Sequence, residues 1–136
     1  MRILGVDYGE KRTGIAISDA LGMTAQGVKT IFESYLVKVA KEVSNIAKEL
    51  DAEKIVVGLP KNMDGTIGFR GEATYSFIEE LKKETDLPII TWDERLSTVS
   101  AIKSLNETNT RGKKRKDVVD TVAAMYILQN YLDSLI

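Results

Sequence analysis

Two apolar segments joined by a short polar turn begin the chain, and they restrict its fold more than any other feature. Residues 2–7 and 13–19 read as strands, and the turn between them is short enough for an antiparallel hairpin. Farther along, helical periodicity alternates with short apolar runs. Strand–helix–strand steps require parallel pairing. We therefore predict an α/β fold: a mixed sheet with an antiparallel hairpin portion plus parallel strands, flanked by helices.

Hydrophobic spacing divides the remaining chain into alternating elements. We predict a third strand over 22–31, strands over 54–58 and 88–92, and helices over 34–50, 68–83 and 116–134. A short helix is expected from Ser97 or Thr98, followed by a mobile basic loop over 106–116. The last helix is expected to turn these residues inward: Val119, Val122, Ala123, Tyr126 and Ile127. The 136 residues suit a single domain, 1–136.

The composition narrows the available chemistry because the chain contains neither histidine nor cysteine. Catalysis by Ser-His-Asp or Cys-His sets is excluded, as are zinc sites built from imidazole or thiolate. Carboxylates remain, and they suit hard cations such as Mg²⁺ or Mn²⁺. The lack of cysteine and of a signal-peptide pattern favours a cytoplasmic protein. No apolar run approaches the ~20 residues of a membrane span, so we expect no membrane contact.

Acidic residues follow two of the predicted strands, and another lies on the last helix. Asp7 ends the first strand, and Asp93 and Glu94 follow the last one. Ligands of open α/β sheets gather beyond the carboxyl ends of the strands. Asp120 shares a helical face with Ala123, Ala124 and Ile127, and an acid on an apolar stripe needs a partner. Together Asp7, Glu94 and Asp120 could hold one or two divalent cations.

Each acid also has a purely structural interpretation. Asp7 could cap the turn that follows it. Asp93 competes with Glu94, because adjacent residues at a strand end point in opposite directions. Asp120 could pair with Lys116 one turn earlier, and Asp117 is an alternative ligand or a first-turn acid that complements the helix dipole. The agreement in position of the three acids is stronger support than any one of them.

Basic residues cluster near the predicted acidic site. The segment Arg111–Lys116 is either a solvated loop or a phosphate contact, since Lys and Arg neutralise the backbone of nucleic acids. The candidate phosphate contacts are Lys11, Arg12, Arg95, Arg111, Lys113, Lys114 and Arg115. The aromatic residues are few and mostly at helical core spacing, so we expect no platform on which bases stack.

Four motifs in order resemble the YqgF family, also called RuvX. They are Val6-Asp7-Tyr8-Gly9 with Lys11, Arg12 and Gly14; Val57-Gly58-Leu59-Pro60 with Asn62-Met63-Asp64-Gly65-Thr66; Asp93-Glu94-Arg95-Leu96-Ser97-Thr98; and Val119-Asp120 with Ala123, Ala124, Ile127 and Leu128. The resemblance runs nearly end to end. It implies a ribonuclease H-like fold and catalytic acids at Asp7, Glu94 and Asp120. The family is described both as Holliday junction resolvases and as nucleases of precursor 16S ribosomal RNA.

The resemblance leads us to expect a metal-dependent nuclease with Mg²⁺ or Mn²⁺ at the three acids. Nucleic acid is the expected partner, either a ribosomal RNA precursor or branched DNA. A homodimer is left open, because resolvases of four-way junctions match a two-fold substrate. Two other functions also stay open. One is a phosphate-binding ATPase of the actin and sugar-kinase type, and the other is a non-catalytic RNA-binding factor of ribosome assembly.

Overall fold

A computed structural model of the protein contains a five-stranded sheet with helices on both faces. The structure describes residues 1–96 and 113–136, and of residues 113–120 the backbone only. The described strands are β1 (Arg2–Asp7), β2 (Arg12–Ser18), β3 (Ala25–Phe32), β4 (Ala52–Leu59) and β5 (Ile89–Asp93). The described helices are α1 (Leu36–Glu49), α2 (Phe69–Glu84) and α3 (Lys113–Ser134), and a 3₁₀ turn, Glu94–Leu96, follows β5.

The sheet has the strand order β3-β2-β1-β4-β5. Strands β1 and β2 pair antiparallel, as do β2 and β3, whereas β4 runs parallel to both β1 and β5. This confirms the predicted mixed sheet. Because the three parallel strands end at the same edge, the segments that follow β1, β4 and β5 meet there.

The sheet has an apolar core on each of its two faces, because successive side chains of a strand point to opposite faces. Each core lies between the sheet and the helices that cover that face. On the face covered by α3, the core contains Ile3, Ala16 and Val56 of the sheet together with Ala124, Ile127 and Leu128 of the helix. On the opposite face, Leu4, Val6 and Val57 pack with residues of α1 and α2 such as Val43 and Phe77. We call these the α3 face and the α1/α2 face.

The third strand begins later than the sequence predicts, at Ala25 instead of residue 22. The Asp19 carboxylate accepts hydrogen bonds from the backbone N–H groups of Met23 (2.7 Å) and Thr24 (3.3 Å). Gly22 adopts a φ of +69°, which favours glycine. The segment before Ala25 is therefore a loop, because its backbone donors bond to Asp19 and not to a strand.

The last helix differs from the prediction in two respects. It begins at Lys113, so residues 113–116 are helical and not loop, as suits Lys and Arg, which are good helix formers. Tyr126, predicted to point inward, is 44% exposed. Ala124, which the sequence places on the apolar face with Asp120, lies on the sheet together with Leu128. The predicted short helix from Ser97 or Thr98 and residues 106–112 of the predicted loop lie outside the described residues.

Within the described ranges, no helix is long and apolar enough to cross a membrane.

Candidate active site

Asp7 is the last residue of β1 and is only 7% exposed. It shares the parity of Ile3 and Gly5 along the strand, so its side chain lies on the α3 face. A carboxylate in this position costs free energy unless it has hydrogen bonds or a cation. The location, at the carboxyl end of a central strand, is where α/β sheets bind their ligands.

Glu94 begins the 3₁₀ turn after β5 and is 3% exposed. Its Oε1 atom lies 3.2 Å from the position that a Cβ on Gly58 would occupy. The Cδ1 atom of Ile127 on α3 approaches the same position to 2.4 Å. The Glu94 carboxylate therefore lies on the α3 face, above the end of β4.

Gly58 stands between the two buried acids. Val6 of β1 pairs with Val57 of β4, so Asp7 and Gly58 are the next neighbours in this parallel ladder. Gly58 thus has Asp7 on one side and Glu94 on the other, and its missing side chain lets Ile127 and the Glu94 carboxylate approach the strand closely. Gly58 belongs to one of the four sequence motifs, but the motif alone indicates no role for it. A glycine inside an otherwise apolar strand is a signal of close approach that could have found it.

Asp93, the competing acid, is held in an ion pair. Arg95 donates from Nη2 to Oδ2 of Asp93 at 2.8 Å and from Nε to both carboxylate oxygens at 3.2 Å. Lys61 Nζ lies 3.8 Å from Oδ2. The hydrogen bonds from Arg95 are the main cause that lowers the pKa of Asp93. Asp93 thus faces cations, whereas its neighbour Glu94 is buried.

Arg95, predicted to contact phosphate, serves this structural pair. Its Nη1 also donates to the carbonyl of Met63 at 3.4 Å, so the guanidinium joins the loop after β4 to the end of β5. The hydrogen bonds with Asp93 raise the pKa of Arg95. A phosphate would have to share this guanidinium with Asp93, and the contact stays a prediction.

Helix α3 runs antiparallel to β1 and brings its start toward the acids. A Cβ on Gly5 would lie 3.1 Å from the carbonyl oxygen of Ala124, so this part of α3 lies over the middle of β1. Farther along the helix, the Tyr131 hydroxyl accepts a hydrogen bond of 3.1 Å from Lys54 Nζ, near the start of β4. Residue 120 lies one turn before Ala124, about 6 Å closer to the carboxyl edge. Asp7 lies two residues beyond Gly5, about 7 Å in the same direction. The backbone of Asp120 is therefore near the level of Asp7; its side chain lies outside the described part.

The other predicted cations divide into three groups. Lys11 is exposed in the turn between β1 and β2, and Arg12, the first residue of β2, is half-buried. The backbones of Lys113, Lys114 and Arg115 form the first turn of α3. Arg111 lies outside the described residues. Their phosphate contacts remain predictions.

The described donor set fits a hard divalent cation. Two buried carboxylates on one face, separated by a residue without a side chain, offer the oxygen ligands that Mg²⁺ and Mn²⁺ prefer. Among the described side chains, no group of three acids, histidines or cysteines is close enough to form a metal site. A complete set thus requires a ligand from beyond those side chains, and Asp120 is the candidate that the sequence supplies.

Comparison with known proteins identifies the family of this chain. The model of the family described as "RuvX: Holliday junction resolvase" matches residues 1–134. This chain belongs to the RuvX family. A Clostridium tetani protein named "Putative pre-16S rRNA nuclease" is 54% identical over 135 residues, covering 99% of this chain and 98% of the relative. A Desulforamulus reducens protein of the same name is 51% identical over 134 residues, covering 98% of each.

Solved structures show the same fold in proteins of very different sequence. RuvC from Thermus thermophilus, in complex with a Holliday junction substrate, superposes with a TM-score of 0.61 at 11% identity, covering 99% of this chain and 95% of RuvC. The fowlpox virus resolvase bound to Holliday junction DNA gives a TM-score of 0.53 at 16% identity, covering 100% and 99%. The RuvX member described here therefore has the ribonuclease H-like fold expected from its sequence.

Proposed function

We propose that this protein is a divalent-metal-dependent nuclease that hydrolyses phosphodiester bonds, with precursor 16S ribosomal RNA as its substrate. The observation that carries the proposal is the pair of buried carboxylates, Asp7 and Glu94, on either side of Gly58 at the carboxyl edge of the sheet. Membership of the RuvX family and the names of its relatives support the reaction class and the substrate.

Asp7, Glu94 and Asp120 would hold Mg²⁺ or Mn²⁺. When bound, the metal supplies Lewis-acid catalysis of phosphodiester hydrolysis, which requires no histidine. Asp7 and Glu94 are fixed by a strand end and a 3₁₀ turn, both packed against α3. This burial limits access of bulk water and keeps the carboxylates oriented, so little rearrangement is needed when the metal and the substrate bind.

Cations around the acids would bind the phosphate backbone. Lys11 and Arg12 lie at the edge next to Asp7, and Lys113, Lys114 and Arg115 form the start of α3. Such contacts make affinity fall with rising salt concentration, because each neutralised phosphate releases a counterion. We assign Arg111 and Arg95 to the same surface from the sequence.

The second candidate substrate is a four-way DNA junction, which the description of the family model favours. Resolution of a two-fold junction calls for a dimer that presents two equivalent sites. We therefore treat a homodimer as part of this second proposal.

The test compares cleavage of a precursor 16S RNA fragment with that of a four-way DNA junction, in Mg²⁺, Mn²⁺ or EDTA. We expect metal-dependent cleavage of the RNA. Asp7→Asn and Glu94→Gln should each lower its rate about 100-fold or more, because each removes a charged ligand worth several kcal/mol. Asp93→Asn is the matched control, since it neutralises the adjacent acid, and its rate should stay close to that of the parent.

Three outcomes decide between the proposals. Cleavage of the junction alone would replace the RNA substrate with branched DNA. Binding of RNA without cleavage by the parent protein would favour a non-catalytic assembly factor. Unchanged cleavage by Asp7→Asn would refute the mechanism.

A further inference from the structure

The register of the first three strands places an aromatic residue near the acids. Asp7 of β1 pairs with Gly14 of β2, so Arg12, two residues before Gly14, lies on the same face and closer to the carboxyl edge. Arg12 pairs in turn with Phe32, the last residue of β3. Phe32 thus shares the α3 face with Asp7, across the two antiparallel ladders.

Burial agrees with this placement. Ile31, the preceding residue of β3, is 2% exposed within the core of the α1/α2 face. Phe32, which points the other way, is 47% exposed. Phe32 therefore exposes about half of its surface at the rim of the sheet, where it pairs with the half-buried Arg12.

The distance suits a polynucleotide that crosses the rim. Two strand spacings of about 4.8 Å and two residue rises of about 3.3 Å separate Phe32 from Asp7, which gives roughly 12 Å between their Cα atoms. Arg12 lies between them. A strand whose phosphate reaches the acids can therefore bring a neighbouring phosphate to Arg12 and a base to Phe32.

We propose that Phe32 is a stacking platform for one nucleobase of a single-stranded substrate segment, with Arg12 binding the adjacent phosphate. The proposal rests on the proposed nuclease function and assigns to Phe32 a role that the sequence analysis did not expect. An isolated aromatic residue carries no stacking signal in the sequence. The strand register indicates the role, because it places Phe32 on the same face as Arg12 and Asp7.

The first experiment measures binding alone, so that it does not depend on cleavage. A fluorescein-labelled single-stranded oligoribonucleotide is titrated in EDTA and followed by fluorescence anisotropy. Phe32→Ala should weaken binding by roughly 5- to 150-fold, the usual effect of losing one base–aromatic stack. Phe32→Trp should bind like the parent, and Phe32→Leu, which keeps apolar bulk without a ring, should lose most of the affinity.

Tyr75→Ala is the matched control. Tyr75 is 44% exposed but lies on α2, on the opposite face of the sheet. Its loss should leave the affinity unchanged. Thermal unfolding of each variant checks that the binding change is not a folding defect.

The second experiment locates the base. An abasic site is moved along the oligoribonucleotide, and the effect of Phe32→Ala should disappear at one position, where the base that stacks is missing. Unchanged affinity of Phe32→Ala, or an equal loss at every abasic position, would overturn the proposal while leaving the nuclease function intact. A parent protein that binds no oligoribonucleotide would overturn both. Conversion of a parent dimer to a monomer by Phe32→Ala would make the residue a subunit contact and would also overturn the proposal.

Discussion

The substitution Gly58→Ala tests the packing between the candidate site and α3. The added Cβ would lie 2.4 Å from Cδ1 and 3.0 Å from Cγ1 of Ile127, and 3.2 Å from Oε1 of Glu94. Carbon atoms pack best at about 3.5–4.0 Å, so the closest contact must open by more than 1 Å. Ile127 is fully buried and cannot swing into solvent. Overpacking of this kind costs about 1–3 kcal/mol.

The assay is urea unfolding of a double-mutant cycle with Ile127→Val. That change removes Cδ1, the atom in closest contact, and costs about 0.5–1.5 kcal/mol by itself. In the double variant the new methyl group occupies the vacated space. We therefore expect the double variant to be more stable than the sum of the single effects predicts, by about 1 kcal/mol. Cleavage should stay impaired, because the added Cβ still presses on Glu94.

Gly5→Ala provides the comparison. Its Cβ would lie 2.7 Å from the Cβ of Leu128 and 3.1 Å from the carbonyl oxygen of Ala124, atoms that no side-chain rotation can move. Its cost should be at least as large as that of Gly58→Ala. Additive effects of Gly58→Ala and Ile127→Val, within about 0.5 kcal/mol, would refute the packing argument.

Three further predictions concern stability. The ion pair with Arg95 lowers the pKa of Asp93. The difference in free energy of unfolding between the parent and Asp93→Asn should therefore be fully present above the unfolded pKa of about 3.9 and vanish as the pH falls through the folded pKa. A difference that grows in acid would contradict the pair. Among the described residues, the buried Thr13 hydroxyl has no hydrogen-bond partner. Thr13→Val should therefore raise the free energy of unfolding in urea by about 1 kcal/mol. A lower free energy of unfolding in the variant would show that the hydroxyl is bonded. Ser44 Oγ donates to the Glu84 carbonyl at 3.0 Å and joins α1 to the end of α2, so Ser44→Ala should cost about 1 kcal/mol, and no change would mean that water replaces the bond.

Periodicity was sufficient to predict the strands and helices, because each covers one side of an apolar core. It was wrong where a specific side chain or a close contact decides. The Asp19 carboxylate binds the backbone N–H groups of Met23 and Thr24, so β3 begins only at Ala25. A hydrophobic pattern does not reveal such hydrogen bonds. On α3, Tyr126 was expected to point inward but is 44% exposed, whereas Ala124 and Leu128 lie against Gly5, whose missing side chain lets the helix approach closely. The packing stripe follows this steric fit and not the largest hydrophobic residues.

The sequence predicts which acids form the candidate site, but it does not predict how Asp7 and Glu94 are arranged around Gly58. Asp93 and Glu94 are equivalent in a pattern of residues. The structure distinguishes them because Arg95 folds back on Asp93, whereas the 3₁₀ turn brings Glu94 over Gly58. Gly58 lies beside Asp7 of β1, Glu94 of the turn after β5 and Ile127 of α3, all of them distant in sequence. Only the strand register shows that these residues meet.

The most direct test of the central claim is Mn²⁺ binding, measured as loss of the free-ion electron paramagnetic resonance signal, without nucleic acid. We predict that the parent binds Mn²⁺ and that Asp7→Asn, Glu94→Gln and Asp120→Asn each weaken binding at least tenfold, whereas Asp93→Asn binds like the parent. Parent-like binding by Glu94→Gln, or a loss confined to Asp93→Asn, would contradict the account.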